Sequence, residues 1–334
     1  MVGTHSESVP SRRDQDPLFA ITSSCAGQHD TDGATAAKVS RRGVRDYHGT
    51  GVYTPNRSRA RSGRQDEAVE FDPAAYYDAL GDAEIDRLTA SLTGRVSFEI
   101  HRRFLHRFVR PGDRVLEIGA GPGLFTTELG AIGARVAVTD ISPVQLVLNE
   151  RELSGTPAEH AVESRALLDV RDTSQFSDGE FDAVLAYGGP LSYAFDAEDQ
   201  ALRGLLRITR PEGPVVGSVM SLLGTWRQFL PGVIAADPDD VVLISGDLRL
   251  LGGQHQCRLY RWSDIPPWVH RCGGELLAGS ASGWASHGDP AALATLEADL
   301  RRWRQFLDQE TRACAEPGAR DGGTHILFAA RSAG

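Results

Sequence analysis

The sequence predicts an α/β fold, a doubly wound and mostly parallel sheet with helices on both faces. Three observations predict it. Apolar runs alternate with amphipathic stretches between residues 114 and 220, and strands separated by helices form right-handed βαβ crossovers. A glycine-rich turn, "GAGPG" at 119–123, follows the first run, "RVLEI", without a break. Acidic residues then close the second and third runs, at Asp140 and Asp169. Ligands of such sheets bind at that edge.

Each element follows in chain order. Residues 1 to about 70 show no helix or strand period and are rich in Ser, Gly, Thr, Arg and Asp. They read as a disordered tail. Its basic cluster "RSRARSGR" at 57–64 is either an interaction arm or a solvated charge run. Residues 73–92 and 94–109 then read as helices. In the second, Val96, Ile100, Phe104 and Phe108 form one apolar stripe, and Pro111-Gly112 stops it. The strands are expected at 114–118, 135–139, 165–168, 181–187 and 214–220. Helices are expected near 122–132, 143–153 and 197–209, the last capped by Asp196. Beyond residue 221 the alternation breaks. A hairpin is expected at 248–262 around Gly252-Gly253. A helix near 263–272, a strand at 275–280, a polar helix near 290–312 and a final strand at 324–331 complete the chain.

Composition narrows the function. At 334 residues the chain suits one large domain or two ordinary ones. With 41% hydrophobic and 24% charged residues it reads as soluble and globular. No apolar run reaches the ~20 residues of a membrane span. The N-terminus carries no signal pattern, which predicts a cytoplasmic protein. Cys25, Cys257, Cys272 and Cys314 are scattered without metal-ligand spacing. Residues 1–70 carry ten basic and nine acidic residues, leaving 25 basic and 36 acidic beyond them, a net −11. That charge is a poor match for a phosphate backbone, so no nucleic acid is expected. Lys38 is the only lysine, which removes Schiff-base and Walker-type chemistry from the folded part.

The glycine turn selects the ligand class. A dinucleotide site wants G-x-G-x-x-G. Here the position three after Gly121 is Leu124. Glu117 at the strand end repels a pyrophosphate and attracts a cation. S-adenosylmethionine (SAM), with an ammonium, a sulfonium and no phosphate, suits such a site. Asp140 lies 21 residues past Gly119, where a carboxylate takes both ribose hydroxyls of a nucleoside. Asp169 can accept from an adenine amino group, with the Val170 N–H beside it.

With these residues in view, the chain from about 71 to 334 resembles the class I, Rossmann-like SAM-dependent methyltransferases of the small-molecule type. "VLEIGAGPG" resembles their first motif, "VAVTDIS" the segment closing the second strand, "FDAVLAYGGPLSY" the fourth strand and its loop, and "RITRPEGPVVGSVMS" the turn into the fifth. "EFDPAAYYDALGDAEIDRL" is similar to their helical lead-in. The resemblance implies a seven-stranded sheet of order 3-2-1-4-5-7-6 with its last strand antiparallel. One departure is Glu212 in "PEG", where the family more often has glycine, and little cost is expected of it.

The resemblance also implies roles. Glu117 lies near the methionine ammonium through water. Gly119, Ala120, Gly121 and Gly123 wrap the methionine and ribose. Asp140 holds the ribose, Ile141 packs on adenine, and Asp169 and Val170 read the adenine edge. Tyr187 and Gly188 face the sulfonium. Tyr77 either closes the pocket from the lead-in helix or only packs that helix. Residues 222–312 are expected to form a substrate cap, with His255, Arg258, Tyr193, Trp226 and His325 lining it. His255, Tyr193 and His325 are the candidate catalytic residues, although each histidine taken singly reads first as a structural one. The loop "YGGPLSY" lacks the signatures of enzymes that methylate nucleobases, and no metal-ligand cluster is present. The expected reaction is methyl transfer to a small molecule at an O, N or C nucleophile. SAM chemistry other than methyl transfer (aminocarboxypropyl transfer or cyclisation of SAM) and non-catalytic SAM binding remain alternatives.

Overall fold

The computed structural model describes residues 71–85, 90–229, 232–237, 239–251 and 255–333. The expected tail, with its basic cluster, lies outside these residues.

The chain enters through α1 (Pro73–Leu80), whose cap Asp72 accepts from the Ala74 N–H. The expected helix over 73–92 is interrupted at Gly81, which takes φ +49° and turns the chain; residues 83–85 are helical again, and 86–89 lie outside the described residues. In α2 (Leu92–Leu105) the cap is Ser91, and Val96, Ile100 and Phe104 are buried as a stripe. Seven strands follow: β1 (Arg114–Ile118), β2 (Arg135–Asp140), β3 (Val162–Leu167), β4 (Ala183–Ala186), β5 (Val215–Met220), β6 (Gly274–Ala281) and β7 (His325–Ser332). Their order is β3-β2-β1-β4-β5-β7-β6. Parallel pairs run from β3 to β5, and β7 is antiparallel to both β5 and β6. The crossovers are α3 (Leu124–Ile132), α4 (Pro143–Leu153) and α5 (Glu198–Ile208). Leu116, Val184, Val215 and Phe328 sit in one core layer, and Val115, Val136, Leu185 and Leu327 in the other.

The sheet is the expected one, but several local expectations fail for identifiable reasons. The third strand starts at Val162, earlier than its apolar run, because it is an edge strand whose Glu163 and Ser164 face solvent. Asp196 does not cap α5. It lies in a 3-10 turn, Phe195–Ala197, and accepts from the Arg249 guanidinium at 3.2 Å. The hairpin at 248–262 is reduced to an antiparallel bridge at its base, Asp247 opposite Arg258, with Leu248 N–H donating to Cys257 O at 3.1 Å and Leu259 N–H to Gly246 O at 2.7 Å. Leu248–Leu251 is a 3-10 turn, and Gly252-Gly253 lies outside the described residues. The Arg258 and Tyr260 N–H groups go to other elements, to Ser192 O and Met220 O. Past α5 come α6 (Leu222–Gln228), α7 (Gly232–Ala236), α8 (Val241–Ser245) and α9 (Ile265–Arg271). The polar helix over 290–312 is two helices, α10 (Pro290–Glu297) and α11 (Leu300–Ala315), because Asp299 restarts the chain as a cap. Glu212 stands at φ +65°, a left-handed conformation that costs a non-glycine residue about 1–2 kcal/mol, so the turn is less tolerant than expected.

The stretch 222–312 is not one covering. It contains β6, and α11 packs on α2 and β6 through Leu307 and Cys314. Among the described residues of its early part, Leu222, Val242, Cys257 and Leu259 cluster with Tyr193 and Met220.

Candidate cofactor site

The C-terminal ends of β1, β2 and β4 open into a cleft lined mostly by apolar and aromatic side chains. Its floor is the glycine turn. Gly119 takes φ +70° and Gly121 φ +52°, and a Cβ at Gly119 would stand 2.7 Å from Pro190 Cγ. A side chain there would therefore both strain the backbone and collide with the opposite wall.

Asp140 is 5% exposed yet lines the cleft. Its Oδ2 accepts the Gly121 N–H at 2.8 Å and its Oδ1 accepts the Ser142 N–H at 2.9 Å. Burial pushes its carboxyl above the usual range, against those backbone donors. Asp169 and Val170 border the other end of the cleft. Asp169 is clamped by its neighbour Arg171, with Nε at 2.8 Å from Oδ2. Burial opposes that clamp, but the Arg171 guanidinium prevails and holds the carboxyl low.

This geometry agrees with the family comparison, in which residues 115–213 match the family described as "Methyltransferase domain". The chain carries a methyltransferase domain over those residues. Its cofactor is S-adenosylmethionine. A demethylmenaquinone methyltransferase of Corynebacterium efficiens is 26% identical over 215 residues, spanning 58% of this chain and 86% of that one. One from Parafrankia sp. is 29% identical over 216 residues, spanning 56% and 80%. A solved SAM-dependent methyltransferase from Mesorhizobium loti superposes with a TM-score of 0.48 at 15% identity, over 70% of this chain and 97% of that one.

Of the twelve expected cofactor residues of the methyltransferase, nine line the cleft: Tyr77, Gly119, Gly121, Asp140, Ile141, Asp169, Val170, Tyr187 and Gly188. Glu117, Ala120 and Gly123 do not. Glu117 is 2% exposed and turns beneath α3, where Thr126 Oγ1 donates to it at 2.6 Å. Burial pushes its carboxyl up to about 8, so near neutral pH it is a protonated acid. Gly123 serves packing: a Cβ there would meet Asn149 Nδ2 at 2.9 Å and Leu153 Cγ at 3.3 Å. Ala120 belongs to the core beneath the turn.

Among the three candidate catalytic residues, Tyr193 lines the cleft. His255 stands behind it, with Nε2 2.7 Å from Tyr193 Oη. Tyr77 Oη donates to the same oxygen at 2.9 Å. His325 is elsewhere, its Nδ1 3.2 Å from Thr324 Oγ1 and its ring against His101. Arg258 pairs with Glu198 at 3.1 Å, and neither it nor Trp226 lines the cleft. Among the described residues no cluster of His, Cys, Asp or Glu is arranged to hold a metal, and no helix is long and apolar enough to cross a membrane.

Sequence reasoning missed Pro73, Glu84, Ile118, Gln145, Leu168, Arg171 and Pro190 in the lining. Gln145 is the informative one. "SPVQ" at 142–145 has the form of a capping box, in which the Gln side chain would return to the Ser142 N–H. Asp140 already holds that N–H. The Gln145 amide turns instead to α1, Nε2 donating to Tyr77 O at 3.0 Å and Gly81 O at 3.4 Å. Those two acceptors fix which end is nitrogen. Its Oε1 is left buried without a partner, 3.9 Å from where a Gly121 Cβ would stand.

Proposed function

We propose that the cleft holds SAM across the strand ends and that its methyl group goes to a small-molecule metabolite. The Asp140 carboxylate carries this reading. The N–H groups of Gly121 and Ser142 occupy two of its roughly four acceptor positions. The rest suit a pair of ribose hydroxyls in a charge-assisted bidentate contact. The unpartnered Gln145 Oε1 supports it, since a buried carbonyl oxygen without a donor costs about 1–3 kcal/mol and a nucleoside hydroxyl would supply that donor. Bare backbone at Gly119 and Gly121 admits the methionine and ribose. Ile141 and Leu168 give the adenine an apolar seat, and Val170 offers its N–H. Glu117 acts through the turn above it and not by direct contact. SAM supplies an electrophilic methyl group when bound, and the protein's part is to align the acceptor and exclude water.

The acceptor reading rests on chemistry of three kinds. The chain beyond residue 70 is net acidic, which disfavours a polyanionic substrate. The cleft is lined by apolar and aromatic side chains with a few convergent polar groups, as small-molecule sites are. Relatives are named for demethylmenaquinone, which favours a quinone-like ring compound.

The test is a product assay with methyl-labelled SAM and a panel of phenol, amine and carboxylic acid metabolites. The expected product is S-adenosylhomocysteine with label on a panel member. Methylthioadenosine in its place would reject methyl transfer.

A further inference from the structure

We infer that Tyr193 and His255 form a proton relay that deprotonates an aromatic hydroxyl on the methyl acceptor. This rests on the methyl-transfer reading above and adds the acceptor's chemical class. Three side chains from distant parts of the chain meet here. Tyr77 Oη donates to Tyr193 Oη at 2.9 Å, and Tyr193 Oη lies 2.7 Å from His255 Nε2. A phenol oxygen gives one proton and accepts two. With Tyr77's proton directed into Tyr193, Tyr193's own proton closes the short contact onto an unprotonated Nε2.

Position gives the relay its direction. Tyr193 and Tyr77 border the cleft and His255 does not. An acceptor in the cleft reaches the imidazole only through the Tyr193 oxygen. Aromatic rings hold the group in register: Tyr76 lies 5.1 Å from the His255 ring, and Phe71 stacks on Tyr193 at 6.2 Å. Met220, Leu222 and Cys257 pack behind Tyr193. In so apolar a setting the hydrogen bonds of the buried Tyr193 are strengthened, while the half-buried His255 can pass the proton on to solvent.

The step balances. The acceptor O–H bond breaks and its proton passes to Tyr193 Oη, while Tyr193's proton passes to His255 Nε2. The acceptor oxygen keeps the O–H bonding pair and forms the new bond to the methyl carbon. The pair of the broken carbon–sulfur bond stays on sulfur. One positive charge leaves sulfur and one appears on the imidazolium. The relay selects its acceptor by proton affinity. A phenol near pKa ~10 exchanges a proton with a tyrosine of similar pKa at little cost, whereas an oxygen as weakly acidic as water, near ~15.7, would not.

The test uses the full chain loaded with S-adenosylhomocysteine and titrated with 4-nitrophenol, whose phenolate absorbs in the visible. The wild type is expected to ionise the bound probe at a pH at least one unit below that of the free probe. Tyr193→Phe and His255→Ala should each abolish that shift while S-adenosylhomocysteine affinity stays within twofold. An equal shift in both variants, or no shift in the wild type, overturns the relay. Failure of the probe to bind the loaded protein, with labelled product appearing only on amines or acids, overturns the acceptor class. Failure of S-adenosylhomocysteine itself to bind would strike the reading beneath it and not the relay.

Discussion

The strand-end cleft and the far flank of the sheet each bury a carboxylate, and they use it in opposite ways. On the flank, Glu310 of α11 is 1% exposed and accepts the N–H groups of Trp284, Ala285 and Ser286 and the Ser286 hydroxyl, all within 3.1 Å. It is not among the residues lining the strand-end cleft, and four donors already meet its two oxygens. Asp140 is almost as buried but holds two backbone donors and faces an opening. A saturated buried carboxylate ties a loop down, and an unsaturated one beside a cavity is available to a ligand. Burial alone does not tell them apart.

The sharpest way to break this comparison is to remove the saturated member. Glu310→Ala should destabilise the fold by about 3 kcal/mol or more, since several donors lose their acceptor at once. SAM affinity of the folded fraction should not change. A chemical denaturation curve together with a binding isotherm checks both, and a loss of affinity without loss of stability would reverse the roles assigned to the two carboxylates.

Glu117 sharpens the comparison by sitting between these cases, with Thr126 as its one hydrogen-bond donor. Burial raises its carboxyl from 4.5 to about 8, so the folded chain holds a proton that the unfolded chain releases. Its contribution is fully present below the unfolded value and is lost as pH rises through the folded one. Between those values stability should fall with pH at up to about 1.4 kcal/mol per unit. Glu117→Gln keeps the Thr126 contact and removes the titration, so its denaturation midpoint should fall less between pH 5 and 8. His101, held down to about 4 by burial, acts in the opposite sense. Its contribution is lost as pH falls from the unfolded value of 6.5, equally in both proteins, so it cancels from the difference. Parallel curves for the two proteins would mean that Glu117 is ionised in the fold.

The smallest effect is expected at the N-terminus. The buried clusters of the described residues and all the lining of the cleft draw on positions from Phe71 onward. Deleting residues 1–65 should leave the melting temperature and SAM affinity unchanged within error. A drop of several degrees would show that the core depends on them.

What was legible in the sequence follows the same division. β1, its glycine turn and Asp140 are contiguous or periodic, and local physics writes them plainly. The strand order came with the motif set. β3 was legible only in part, because an edge strand needs no continuous apolar run. Gln145 was hidden because its spacing spells a helix cap, and only the competing claim of Asp140 on the Ser142 N–H redirects it. The Tyr193–His255 contact spans 62 residues and the Tyr77–Tyr193 contact 116. Composition could nominate Tyr193, His255 and His325, but only the fold brings the first two together and sends His325 to His101. The hairpin shrinks to one bridge, Asp247 opposite Arg258, for the same reason, since the N–H groups of Arg258 and Tyr260 find partners on Ser192 and Met220, which no local pattern announces.

The central claim, that the strand-end cleft is the SAM site, is tested most directly by calorimetric titration of SAM into the wild type and Asp140→Ala. Loss of a charge-assisted contact of about 1.5–3 kcal/mol should weaken binding roughly ten- to hundredfold while the variant still unfolds cooperatively. Equal SAM affinity in a folded Asp140→Ala protein would contradict the account.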